Sequence, residues 1–245
     1  MLLALAGPAH ATDICLAAPY TSPDAASVRA LMDRVAPILA DYPSLAQALA
    51  DQSPVICLSD STFAALGYFE PETNRVVIDA GLDPDFQLAI LLHELRHVEQ
   101  FSRGLCPDMT LAMEQYARNI WAMEADANAV GLLITWGLRE RGDPGPWQAL
   151  ADWPGVADLS VQFETVMAET ADVAAASAAA FAQWYENPER RERYYVASCS
   201  AYLDQLEDTH ALPQYGSLRE DFLRELCVLP DGQAFPCIES QTRAR

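Results

Sequence analysis

The stretch Leu91-Leu92-His93-Glu94-Leu95-Arg96-His97-Val98-Glu99-Gln100 constrains this chain more than any other. It sets the pattern His-Glu-x-x-His inside an apolar run in which Phe86, Leu88, Ala89, Ile90, Leu91, Leu92, Leu95, Val98 and Phe101 recur at helical spacing. A helix of that composition buries most of its surface, and buried imidazoles without partners are costly. Residues four apart on a helix are separated by about 400° of rotation and about 6 Å of rise, so His93 and His97 project from one face and can share one ion. Glu94 flanks that face, too far round to join a compact ligand set but within reach of a water there, whose proton it can take. Paired histidines at this spacing also occur as surface or satisfied core residues. Here the chain has only four histidines, His10, His93, His97 and His210, so the pattern is not a by-product of a His-rich composition.

A catalytic zinc normally has three protein ligands and one open position. Downstream, Trp121-Ala122-Met123-Glu124-Ala125-Asp126-Ala127-Asn128-Ala129 places two carboxylates on a helix. Residues two apart on a helix point about 200° from each other, so Glu124 and Asp126 cannot both face one ion. Glu124 has Asn128 four residues on, where an amide could hydrogen-bond a ligating imidazole, whereas Asp126 has Val130 there. The plainer reading of Glu124 is a solvated helix carboxylate.

The motif helix, followed by a second helix that supplies a glutamate with a polar residue at i+4, resembles the gluzincin type of zinc metallopeptidase, whose third ligand is a glutamate. In that clan the i+4 residue is commonly aspartate. Asn128 departs from it, and an amide cannot carry a carboxylate's negative charge toward the imidazole. More closely, His93-Glu94-Leu95-Arg96-His97 with Glu124-Ala125-Asp126-Ala127 is similar to a group of bacterial metallopeptidases with unassigned substrates, over about residues 55 to 135. The resemblance implies a zinc metalloendopeptidase with His93, His97 and Glu124 as Zn2+ ligands, Glu94 as general base and a peptide or protein as substrate. It also implies an oxyanion-stabilising histidine or tyrosine from outside the two helices. Tyr194, Tyr195 and His210 are available, although helix packing is the plainer role for the two tyrosines. A metzincin is excluded, because Gln100 and Arg103 stand where that pattern requires glycine and histidine. The rival readings are a non-catalytic binding protein on a zincin scaffold and a zinc hydrolase of a non-peptide amide. Glu94 separates catalytic from structural zinc, since a structural site does not need it.

Glycine is scarce at 11 of 245 residues, 51% of the chain is apolar, and alanine-rich stretches recur, which favours helices. The expected fold is mainly α (α+β), a zincin-like helical domain with a small antiparallel sheet beside the His93–His97 helix. Strand-like runs occur only at Val55–Leu58, Ala65–Phe69 and Arg75–Asp79, the last two flanking the turn-rich 70–74. Helices are predicted near 24–40 and 43–52, from Asp83-Pro84-Asp85 to Gly104, and from 109 to about 141 with a kink or break. Further helical stretches run to about 206 with breaks at 153–155 and 186–188, and a last one covers 217–229. Residues 12–245 are expected to form one domain with a helical C-terminal half.

The net charge of −20, from 35 acidic and 15 basic residues, argues against nucleic acid and anionic membrane surfaces as partners. No strongly apolar run reaches spanning length after the leader, so membrane insertion is not expected. Residues 1–11, MLLALAGPAHA, pair a short apolar core with Ala9-His10-Ala11, a small-x-small cleavage pattern, and read as a signal peptide or its remnant without the usual basic start. A periplasmic or secreted protein is expected, and six cysteines with no C-x-x-C pair fit a disulfide-bonded chain. Cys227 with Cys237 is the most plausible local bridge. Cys15 with Cys57 and Cys106 with Cys199 remain by default.

Overall fold

A computed structural model of the chain describes residues 13–62 and 65–239, so the predicted leader at 1–11 lies outside the described residues. In chain order the elements are β1 (Ile14–Leu16), α1 (Ala26–Leu39), α2 (Pro43–Gln52), β2 (Val55–Ser59), β3 (Gly67–Glu70), β4 (Arg75–Asp79), α3 (Pro84–Ser102), α4 (Met113–Glu140), α5 (Gly145–Asp152), α6 (Ala157–Thr170), α7 (Val173–Trp184), α8 (Pro188–Thr209) and α9 (Phe222–Leu226). The mainly α architecture with one small sheet is the one expected.

The sheet is mixed rather than antiparallel. Its order is β1-β2-β4-β3, and β2 pairs with β4 in parallel, Ile56 opposite Val76 and Leu58 opposite Ile78. The 70–74 turn does make β3 and β4 an antiparallel hairpin. The more apolar arm of that hairpin takes the centre: Val76, Val77 and Ile78 are all buried, as a strand covered on both faces requires, while β3 stays half-buried at the edge. Strand β1 was not anticipated. It pairs antiparallel with β2 and is tied to it by the Cys15–Cys57 disulfide.

Helix α3 lies against β3 and β4. Asp83 caps it by accepting from the amides of Asp85 and Phe86, Pro84 occupies its first turn, and Gly104 at φ 68° ends the turn that follows. Leu88, Leu91, Leu92, Leu95 and Val98 are fully or almost fully buried. Helix α4 packs on α3 and runs 28 residues without the predicted break. It contains no proline, and its buried Ala122, Ala125, Ala129 and Gly131 let α3, α7 and α8 pack closely around it. Beyond it, α6 and α7 form a hairpin whose break was not foreseen: Ala171 takes a left-handed conformation and Asp172 caps α7.

The helix predicted over 217–229 shrinks to the five residues of α9. Upstream of α9 the backbone is spent on the entry to α4, where Ala112 N–H donates to Gly216 and Gly216 N–H donates to Thr110. Downstream the Cys227–Cys237 disulfide closes a loop. Two of the three expected bridges are therefore present, and the third is corrected: Cys106 and Cys199 are free. Cys106 follows α3 and is half-buried near Glu72, while Cys199 on α8 interacts with the Tyr195 hydroxyl. Elimination among six cysteines carries no information about proximity.

Gly67 opens β3 where the strand crosses α3. A Cβ there would lie 2.6 Å from Ile90 Cγ2 and 3.0 Å from Ile78 Cδ1, both in the packed interior. Gly67→Ala is expected to destabilise the fold by about 1–3 kcal/mol, the usual cost of overpacking. Urea unfolding checks this, and a variant as stable as the native chain would show that β3 yields freely.

Candidate metal centre

Helices α3 and α4 bring His93, His97 and Glu124 together. His93 Nε2 and His97 Nε2 are 3.1 Å apart, and Glu124 lies 3.3 Å from His97 Nε2 through Oε1 and 3.6 Å from His93 Nε2 through Oε2. One donor atom from each residue lies within 4.8 Å of the others. For bonds of about 2.0–2.2 Å, ligands at the corners of a tetrahedron sit roughly 3.4 Å apart. The His93–His97 and His97–Glu124 Oε1 separations lie near that edge, and the three residues together are of a size to hold one divalent ion.

Proton affinities follow from burial and this mutual approach. Burial would lower the His97 pKa, but the Glu124 carboxylate outweighs it and lifts it to about 9. Burial would raise the Glu124 pKa, but the charge of His97 and hydrogen bonds from both imidazoles hold it well below the usual carboxylate range. Glu94 sits beside this cluster. It is 5% exposed, its carboxylate accepts the Phe69 backbone N–H from edge strand β3, and burial pushes its pKa up.

Asp126 stands apart from the cluster, turned by helical geometry into the interior. Its two oxygens accept from Arg96 Nε at 2.7 Å and Nη2 at 3.0 Å, and Gln100 Nε2 donates to it at 2.7 Å. Nor does Asn128 partner a cluster imidazole, since its amide donates to its own helix at Glu124 O. Gln100 takes that place, with Oε1 2.8 Å from His97 Nδ1. The signal for Gln100 was its position three residues after His97, on the same helix face.

Of the three oxyanion candidates, one is at the cluster. Tyr194 on α8 lies against the Glu124 carboxylate, and burial followed by that charge raises its pKa well above the ordinary value. Tyr195 turns to Trp121, ring centroids 6.0 Å apart, and His210 is the exposed C-cap of α8. Two cavities of about 580 and 470 Å³ meet at His93, Glu94 and Tyr194. The larger runs past Phe69, Phe101 and Met123, the smaller past Ile90, Leu132 and Trp153.

Two imidazoles and a carboxylate with donor atoms within 4.8 Å of one another, facing an open cleft with a further buried carboxylate alongside, define a candidate centre for a borderline divalent metal. A family model described as "Putative metallopeptidase family (DUF6782)" matches residues 8–237, and the chain belongs to that family. No curated protein and no solved structure matches the chain.

The metal-free centre should show its ion pair in stability against pH. The folded His97 pKa, about 9, lies above the ordinary value of about 6.5, so its contribution is fully present below about pH 6.5 and lost as pH rises through about 9. The depressed Glu124 pKa adds stability above about pH 4.3 that is lost on acidification. Urea midpoints of the metal-free protein should therefore fall between pH 6.5 and 9, and Glu124→Gln should flatten that fall. An equal slope in both proteins would contradict the coupling.

Proposed function

We propose that the chain is a zinc-dependent endopeptidase of the gluzincin type that acts outside the cytoplasm, with His93, His97 and Glu124 as ligands and Glu94 as general base. The observation that carries this reading is Glu94. A carboxylate almost wholly buried beside three metal-type donors is costly in a merely structural site. A zinc ion held by two neutral imidazoles and a carboxylate supplies Lewis acidity, acidifying water and polarising a substrate carbonyl.

The remaining work belongs to the chain. Glu94 takes the proton of the attacking water and delivers it to the leaving amine, and its raised proton affinity suits it to both transfers. Tyr194, kept protonated at neutral pH, donates its O–H to Glu124 in the absence of substrate, and would turn that O–H to the oxygen on which charge develops. The two cavities on either side of Glu94 leave room for a substrate running in both directions from the bond cut, which favours internal peptide bonds over chain ends. The disulfides support maturation in an oxidising compartment, and among the described residues no helix is long and apolar enough to cross a membrane.

Glu94→Gln keeps the shape but cannot accept the proton. It should retain zinc, measured by metal analysis, and lose about 10²–10⁴-fold in turnover on a broad peptide library. Tyr194→Phe should also retain zinc and lose about 10²–10³-fold in kcat, the usual cost of one oxyanion donor. Full peptidase activity in zinc-loaded Glu94→Gln would overturn the mechanism.

A further inference from the structure

We propose that Gln100, Asp126 and Arg96 form a positioning relay through which the loop closed by Cys227–Cys237 sets the affinity of His97 for metal. This rests on the ligand role of His97 proposed above. The Gln100 amide is oriented by its neighbours: Nε2 donates to Asp126 Oδ2 at 2.7 Å and to Met123 O at 3.0 Å, and neither oxygen could accept from another acceptor. Oε1 must then face His97, so His97 Nδ1 carries a proton and Nε2 is the nitrogen left to meet an ion at the cluster. That is the tautomer a ligand needs, and Gln100 selects it.

Asp126 is fixed in turn by Arg96, whose guanidinium is 0% exposed. Arg96 Nη2 divides itself between Asp126 Oδ1 at 3.0 Å and two carbonyls where α9 meets the C-terminal loop, Leu226 O at the end of α9 at 3.0 Å and Val228 O in the loop at 2.9 Å. Those carbonyls flank Cys227, and the loop is drawn shut by its bridge to Cys237 and by Phe235 N–H donating to Cys227 O. Opening the loop takes the Val228 carbonyl from a buried cation and frees the end of α9 that carries the Leu226 carbonyl. Arg96 must then shift, Asp126 with it, and the Gln100 amide loses the contact that orients it.

The test measures the Zn2+ dissociation constant by chelator competition. Gln100→Met, which keeps the volume and removes the amide, should weaken binding about 10–100-fold, the usual cost of losing such a partner. Arg96→Lys, which cannot reach Asp126 and both carbonyls together, should weaken it about tenfold. The double variant should be no weaker than Gln100→Met alone, within about threefold, because a relay broken at Gln100 has nothing more to lose at Arg96. Cys227→Ser with Cys237→Ser should weaken binding about tenfold, while Cys15→Ser with Cys57→Ser leaves it within about threefold. Multiplying losses in the double variant, or native affinity in Arg96→Lys, would overturn the relay. If the Cys227/Cys237 variant loses its helical circular dichroism, the Arg96–Gln100 cycle decides alone. A native chain that binds no zinc would overturn the ligand reading and the relay together, whereas zinc binding without peptidase activity would sink the proposed reaction and leave the relay to be judged on the affinities.

Discussion

The buried Arg96–Asp126 ion pair is the interaction on which the arrangement of α3, α4 and the C-terminal loop depends. Both residues are fully buried, and Arg96 is held by Glu99 as well. Removing two such charges from water costs several kcal/mol each, and the fork geometry with further hydrogen bonds is what offsets it. Breaking such a pair by deleting one partner typically costs about 3–5 kcal/mol, because the other charge is left stranded. Arg103, 3.7 Å from Glu99, brings the local group to two cations and two carboxylates, so a strongly acidic chain keeps this interior site balanced.

The same two helices that carry the pair inward carry the candidate centre outward. Glu124 and Asp126 are two residues apart, and the α-helical rotation between them sends one to the cleft and the other to the core. His93 and His97 share a face of α3, while Arg96 between them is turned about 80° aside from it, far enough to enter the interior toward Asp126. Site and anchor are therefore two faces of one helix pair, and neither helix can rotate to adjust one without breaking the other. The cleft is finished by elements distant in sequence, β3 through Phe69 at Glu94 and α8 through Tyr194 at Glu124.

What the sequence determined is what helical geometry and composition determine locally. The His93–His97 spacing, the exclusion of one of Glu124 and Asp126, the Asp83 cap and the β3–β4 hairpin all depend on residues near one another in the chain, and the structure agrees with each. The local Cys227–Cys237 bridge belongs with them. Only the tertiary structure decided the rest. The sheet became mixed because pairing β2 with β4 depends on which hairpin arm can be buried on both faces. The free state of Cys106 and Cys199 depends on where α8 lies against α4. Tyr194, not Tyr195 or His210, reached the centre for the same reason. Asn128 turned to its own helix and Gln100 to His97 because the acceptor that orients Gln100 belongs to the neighbouring helix. Such choices are settled by burial and by hydrogen bonds between distant segments, and no local pattern encodes them.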